Sequence, residues 1–247
     1  MASDGPACVM KESAQASALD ALKAVELSGG VDDGLHALRR MPRKRTLTIL
    51  DWDDTLLAST HLFAEEKRAM ADGENYASEA FTEQMRVLED HVLNLLNEAC
   101  KFGDVIIITN AEAGWVEMSG QQFMPNVISY LQRHKIRVVS ARSCCEAVFP
   151  TEPIMWKATT FWNEIVGMYT IPSDLNVLVI GDGVGERVAA QLLQLNLINS
   201  VVKTLMLLPT PTTAQLTEEL SIATSYLEDF AELNRPLEFC LYQQRYN

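Results

Sequence analysis

The sequence predicts an α/β domain organised on a largely parallel sheet. Short apolar runs of strand length alternate with longer amphipathic stretches, the pattern of strands joined by crossover helices. No apolar run approaches the ~20 residues a membrane helix needs, so no membrane contact is expected. Residues able to do chemistry stand immediately after the apolar runs, where the carboxyl ends of parallel strands present their ligands.

Residues 1–45 read as an N-terminal extension, partly helical, and residues 46–247 as the α/β domain. Within the extension, Ser13–Leu27 is rich in helix formers, with Leu19, Leu22 and Val25 at helical spacing, and Ser28-Gly29-Gly30 stops it. Thr46–Leu50 is the first buried-strand candidate. Phe81–Lys101 is the clearest helix, with Met85, Leu88, Val92, Leu95, Leu96 and Ala99 on one face and Gly103 placed to end it. Val105–Thr109 predicts the second strand, Gln122–His134 a helix, and Ile136–Ser140 the third strand. Lys157–Met168 predicts a helix, Val177–Ile180 the fourth strand, Arg187–Leu195 a helix and Thr204–Leu208 the fifth strand. Thr213–Leu233 closes the series, with Leu216, Leu220, Ala223, Leu227 and Phe230 at helical spacing. No internal repeat or low-complexity tract is evident.

With 247 residues, 48% of them hydrophobic, the chain can fill one good-sized core and carry a modest extension. A formal charge of −13 argues against nucleic-acid binding, which relies on a basic footprint. One local exception runs from Arg39 to Arg45. A solvated basic stretch is the simpler account of it, a nuclear-import or anion-partner patch the sharper one. The five cysteines are odd in number, show no CxxC spacing and accompany no signal sequence, so reduced thiols and a cytoplasmic setting, with the nucleus as alternative, are expected.

The strand ends carry the chemistry. After the first strand come Asp51-Trp52-Asp53-Asp54-Thr55, after the second Thr109-Asn110, and after the fourth Gly181-Asp182-Gly183-Val184-Gly185-Glu186. Lys157 sits near the start of the helix before that fourth strand. Convergence of Asp51, Asp53, Asp182 and Glu186 is costly unaided: two carboxylates ~4 Å apart repel by roughly 4 kcal/mol at an effective dielectric near 20. Such a cluster stays ionised only around a cation. Oxygen-only donors point to a hard ion, and Mg²⁺ is the usual partner when a phosphate completes the shell. These parts suit phosphoryl transfer through a carboxylate: Asp51 as nucleophile, Asp53 as acid and base, Thr109 and Lys157 on the phosphoryl oxygens.

Asp51-Trp52-Asp53-Asp54-Thr55 after an apolar strand resembles motif I of the haloacid dehalogenase superfamily, DxDx(T/V). Thr109-Asn110 resembles its motif II, Lys157 its motif III, and Asp182 with Glu186 its motif IV. The resemblance spans about residues 46–210. It implies a three-layer, Rossmann-like parallel sheet with strand one central. It implies Mg²⁺ held by Asp51, the backbone carbonyl of Asp53, Asp182 and Glu186, and phosphate held by Thr109, Asn110 and Lys157. Because Asp53 is present, it implies a phosphatase acting through an aspartyl-phosphate. Leu56–Asp104 and Thr109–Lys157 are too short for a large cap domain, and uncapped members have open sites. The expected substrate is therefore bulky, such as a phosphoprotein. A small-metabolite phosphatase and a non-catalytic binding protein are the rival readings.

Simpler accounts exist residue by residue. Asp54 suits a turn, Thr109-Asn110 a helix cap, and Lys157 the surface. Arg142 is expected on the surface, and Trp115 and Trp156 in the core, although each could line an entrance. Gly181-x-Gly183 is a poor dinucleotide fingerprint, since the third glycine is misplaced. The four histidines lack zinc-like spacing.

Overall fold

The computed structural model describes residues 44–72 and 78–241, all within the unit Lys44–Asn247. The helix predicted at Ser13–Leu27 and most of the basic run at Arg39–Arg45 lie outside the described residues. Six strands form one all-parallel sheet: β1 (Arg45–Leu50), β2 (Gly103–Thr109), β3 (Arg137–Ser140), β4 (Leu175–Gly181), β5 (Val201–Met206) and β6 (Leu237–Cys240). Their order is β3-β2-β1-β4-β5-β6. The order reverses between β1 and β4, which opens a crevice beyond the carboxyl ends of those two strands.

Eight helices accompany them among the described residues: α1 (Ser59–Asp72), α2 (Glu79–Phe102), α3 (Trp115–Phe123), α4 (Pro125–His134), α5 (Ala141–Cys145), α6 (Pro153–Met168), α7 (Val184–Asn196) and α8 (Thr213–Glu232). The alternation of apolar side chains puts one core on each face of the sheet. Leu50, Ile107, Leu178 and Ile180 meet Leu88, Val92 and Leu95 of α2, Val127 of α4 and Leu216, Leu220 and Leu227 of α8. Leu47, Ile49, Ile106, Ile108, Val177 and Val179 meet Phe161 and Ile165 of α6 and Ala189 and Leu193 of α7. The result is the expected three-layer α/β architecture, and no separate cap domain is present among the described residues.

Several boundaries depart from the sequence reading for identifiable reasons. Ser59–Asp72, where no helix was expected, forms α1, which buries only Ser59, Leu62 and Ala69 and so shows little apolar periodicity. Its start is fixed by Asp54 Oδ1, which accepts the Thr60 amide at 3.0 Å. The helix expected over Gln122–His134 is two helices broken at Met124, because the residue before Pro125 is pushed out of the helical region. Glu89, buried on α2, closes that break by accepting the amides of Asn126 (2.6 Å) and Val127 (3.3 Å). A carboxylate at a helix N-terminus is favoured by the partial positive charge there. Gly103 ends α2 as its C-cap, as expected, and opens β2 directly, where a Cβ would lie 2.1 Å from the Thr46 carbonyl oxygen. The short α5 and the edge strand β6 were not expected, since neither carries an apolar run long enough to read.

The fifth strand begins at Val201, three residues before the expected Thr204, because a charged residue interrupts its apolar run. Lys203 is fully buried and donates to the carbonyls of Phe230 (2.6 Å) and Ala231 (3.0 Å) at the end of α8. Asn176 of β4 donates to the same Ala231 carbonyl at 2.9 Å. Together they satisfy orphan carbonyls at the end of α8. Burial first, and the charge of Lys44 second, push the Lys203 ammonium down to about 7. A folded value below the unfolded 10.5 means that the unfolded chain binds the extra proton between about pH 7 and 10.5, so stability rises with pH across that window. A Lys203→Met variant lacks this linkage. In urea titrations, wild type should gain about 1 kcal/mol or more over the variant between pH 7 and 9; parallel pH profiles would contradict it.

Candidate metal and active site

The crevice between β1 and β4 collects the acidic residues singled out above. Asp51 follows β1, and its amide donates to the Ile180 carbonyl at 3.0 Å, continuing the β1–β4 ladder by one residue. The chain then turns sharply. The Trp52 carbonyl accepts the amides of Leu56 (2.8 Å) and Leu57 (3.0 Å), and Asp54 takes a left-handed conformation with φ 53°. That conformation and its bond to Thr60 make Asp54 a turn and cap residue, the structural role open to it from sequence.

Lys157, in the second turn of α6, is buried with its ammonium between two carboxylates. It lies 2.9 Å from Asp51 Oδ1 and in closer contact with Glu186 Oε1. The surface role weighed for it is thereby excluded. Glu186 reaches it from the first turn of α7, where the helix N-terminus favours its charge. The glycines of the preceding turn permit this reach: a Cβ on Gly181 would lie 2.4 Å from Glu186 Cγ, and one on Gly183 2.8 Å from Glu186 Oε2.

One carboxylate oxygen each from Asp51, Asp182 and Glu186 lies within 4.8 Å of the others. Three carboxylates against one ammonium leave two negative charges in excess, the charge of one divalent cation. Asp51 Oδ1 is buried, with the Lys157 ammonium 2.9 Å away as its partner. Burial, only partly countered by Lys157, holds the Asp51 carboxyl above its usual range. Burial and then the neighbouring Asp51 push Asp182 up to about 7. Three clustered oxygen donors whose negative charge one ammonium does not balance fit a hard cation supplied from outside the chain. These three residues could therefore hold a metal ion.

Asp53 points elsewhere. Its Oδ1 accepts the Trp115 indole N–H at 2.9 Å, and its Oδ2 faces the Thr109 hydroxyl at 3.4 Å. The Thr109 oxygen also accepts the Ala111 amide at 3.0 Å. The Asn110 side-chain amide reaches the Pro153 carbonyl at the start of α6 at 3.5 Å, while its buried Oδ1 has no partner. Asp53 and Thr109 thus meet each other and Asn110 meets the start of α6, with the Asp53 side chain outside the metal-competent group.

Trp115, expected in the core, is half-buried and bonded to Asp53. Only its place six residues beyond Thr109 hinted at this. Trp156 is a core residue, its indole donating to the Phe149 carbonyl at 2.7 Å. Arg142 is a surface residue between Glu112 (3.5 Å) and Glu146 (3.1 Å).

Comparison with known proteins found no matching family model, no matching curated protein and no matching solved structure. Fold and site together define a parallel α/β protein with a buried acidic triad able to hold a metal ion.

Lys157→Met removes the counter-charge held between Asp51 and Glu186. In metal-free protein it should cost about 3–5 kcal/mol of unfolding free energy, the usual effect of leaving buried charges unpaired. Denaturant titration reads this, and an unchanged midpoint would show that the ammonium does not hold the two acids.

Proposed function

We propose that the protein is a Mg²⁺-dependent phosphomonoester hydrolase of the haloacid dehalogenase type, working through an aspartyl-phosphate on Asp51. The observation that carries this reading is the buried group at the β1–β4 crevice: Asp51 with Lys157 at 2.9 Å and with Asp182 and Glu186 inside one 4.8 Å cluster. It is the spatial convergence expected of motifs I, III and IV. The donor set is oxygen only, which favours Mg²⁺ over softer ions.

In this reading Asp51, the Asp53 carbonyl, Asp182 and Glu186 hold the ion, which when bound supplies positive charge to the phosphoryl oxygens. Lys157 adds a second positive charge there, and Thr109 and Asn110 donate hydrogen bonds to the same oxygens. Asp51 attacks phosphorus in line, and the bond to the leaving alcohol oxygen breaks with its electron pair staying on that oxygen. Asp53 gives that oxygen a proton. It then takes a proton from the water that attacks the aspartyl-phosphate, releasing phosphate and restoring Asp51.

The segments where caps are usually inserted hold α1 and α2 before β2, and α3, α4, β3 and α5 before α6. All are layers of the domain or its short connections. An open site of this kind favours a bulky substrate such as a phosphoprotein. The test is hydrolysis of 4-nitrophenyl phosphate and of a phosphopeptide panel. Activity should require Mg²⁺, vanish with EDTA, and fall by about three orders of magnitude or more in Asp51→Asn. Turnover confined to small phosphometabolites would replace the substrate class. Absence of turnover with any divalent metal would leave a binding protein.

A further inference from the structure

The loop that follows β1 and the helix α3 are joined by two indole hydrogen bonds running in opposite directions. Trp52, flanked by the two motif acids, donates its N–H to Ser119 Oγ of α3 at 3.0 Å. Ser119 in turn donates to the Trp115 carbonyl at 2.8 Å. Trp115, the first residue of α3, returns its own indole N–H to Asp53 Oδ1 at 2.9 Å. Trp52 is fully buried, and Gly120 makes room for it, since a Cβ there would lie 2.3 Å from Ile128 and 3.3 Å from the Trp52 ring. On its outer side the Trp115 ring is braced by Phe63 of α1, with centroids 5.6 Å apart. The clasp therefore fixes α3 against the loop and fixes the Asp53 carboxyl against α3.

Resting on the phosphatase reading above, we infer that Trp115 is the positioning residue for Asp53. It sets the rotamer of the carboxyl group and the oxygen from which the proton is delivered. The reason lies in the donor inventory of the indole, which has one N–H and no acceptor. The indole N–H holds Oδ1 at 2.9 Å, while Oδ2 accepts only the longer contact from the Thr109 hydroxyl at 3.4 Å; with that hydroxyl turned to the phosphoryl oxygens, Oδ2 is the oxygen left to carry the proton of the acid form. Oδ2 is then the atom that gives its proton to the leaving oxygen as the P–O bond breaks with its electron pair on that oxygen, and that later receives the proton of the attacking water. Without the N–H, the carboxyl can rotate and exchange its two oxygens, and delivery loses its direction.

The experiment uses the full chain with Mg²⁺ and a series of substituted phenyl phosphates, from the acidic 4-nitrophenol leaving group to unsubstituted phenol. Trp115→Phe keeps a ring and deletes the donor. Its kcat/KM should fall only a few-fold on 4-nitrophenyl phosphate, whose leaving group departs without help. On phenyl phosphate, which needs a proton, it should fall by about 100-fold, within the range a positioned acid contributes. The dependence on leaving-group acidity should steepen accordingly. A uniform loss across the series, or none, overturns the inference, because a merely structural defect would not discriminate among leaving groups. Phe63→Leu, which removes the brace and keeps the donor, should shift the series in the same direction to a smaller extent. A readout independent of turnover uses the indole N–H resonances: the Trp115 signal, identified by its loss in Trp115→Phe, should move markedly in Asp53→Ala while the Trp52 signal stays. An unmoved Trp115 signal also overturns the inference. Should wild type hydrolyse none of the series, the phosphatase reading fails and takes this role with it. Normal hydrolysis with a flat Trp115→Phe profile sinks the role of Trp115 alone.

Discussion

A lysine ammonium buried between two carboxylates is an expensive thing to place in a protein interior, and the architecture around Lys157 is organised to hold it there. Asp51 and Glu186 reach it from different layers, the first from the end of a central strand and the second from the first turn of α7. Neither acid is free to move away. The Asp51 backbone is tied into the β1–β4 ladder, and Glu186 lies folded over Gly181 and Gly183. A fixed ammonium meeting fixed carboxylates loses little entropy on pairing, which is where exposed ion pairs forfeit most of their Coulombic gain. Lys157 nevertheless offsets only part of the acidity. Asp182 completes a triad whose charge the chain itself does not balance; burial first, and for Asp182 the nearby Asp51 second, raises the Asp51 and Asp182 carboxyls.

Sheet topology explains why these residues meet at all. Adjacent strands β1 and β4 send their crossovers in opposite directions, so their carboxyl ends border a gap that no connection covers. Residues 51 and 182 are far apart in sequence but follow neighbouring strands in register, Leu50 opposite Ile180. Two apolar cores, one on each face, make that register rigid. A one-residue slip would exchange the faces of every strand side chain and carry Asp51 out of the crevice. The precision of the site thus derives from hydrophobic packing on both faces of the sheet.

Much of this was legible in the chain. Apolar runs bounded by turn residues revealed five of the six strands, and reactive residues directly after those runs gave Asp51, Thr109 and Asp182 their common address at the carboxyl edge. What stayed hidden has physical causes. Helix α1 carries a charged run at its centre and buries few side chains, so periodicity could not expose it. Lys203 broke the apolar run of β5 although it is the strand's fully buried residue, its ammonium satisfied by the end of a helix 27 residues away. The proline break at Met124 is a backbone constraint, invisible to a count of apolar positions on either side. Trp115 was assigned to the core because packing is the commoner role of a tryptophan, and its N–H acquires a partner only through a contact 62 residues distant.

The glycine-rich turn after β4 shows how one departure from a familiar motif follows from the site itself. Read as sequence, Gly181–Glu186 resembles an acidic motif whose glycines make a poor dinucleotide fingerprint. In the fold, two of its glycines are defined by what lies above them: the Glu186 side chain doubles back across the turn and occupies the space where their Cβ atoms would stand. The third, Gly185, would place a Cβ 3.5 Å from Lys157 Cδ, an ordinary contact that imposes no such demand. Small residues at 181 and 183 are therefore a steric condition for Glu186 to reach Lys157. The turn, the acid and the lysine form a single unit: enlarging either glycine displaces Glu186, and displacing Glu186 leaves the ammonium with Asp51 alone and the triad without one of its three oxygens.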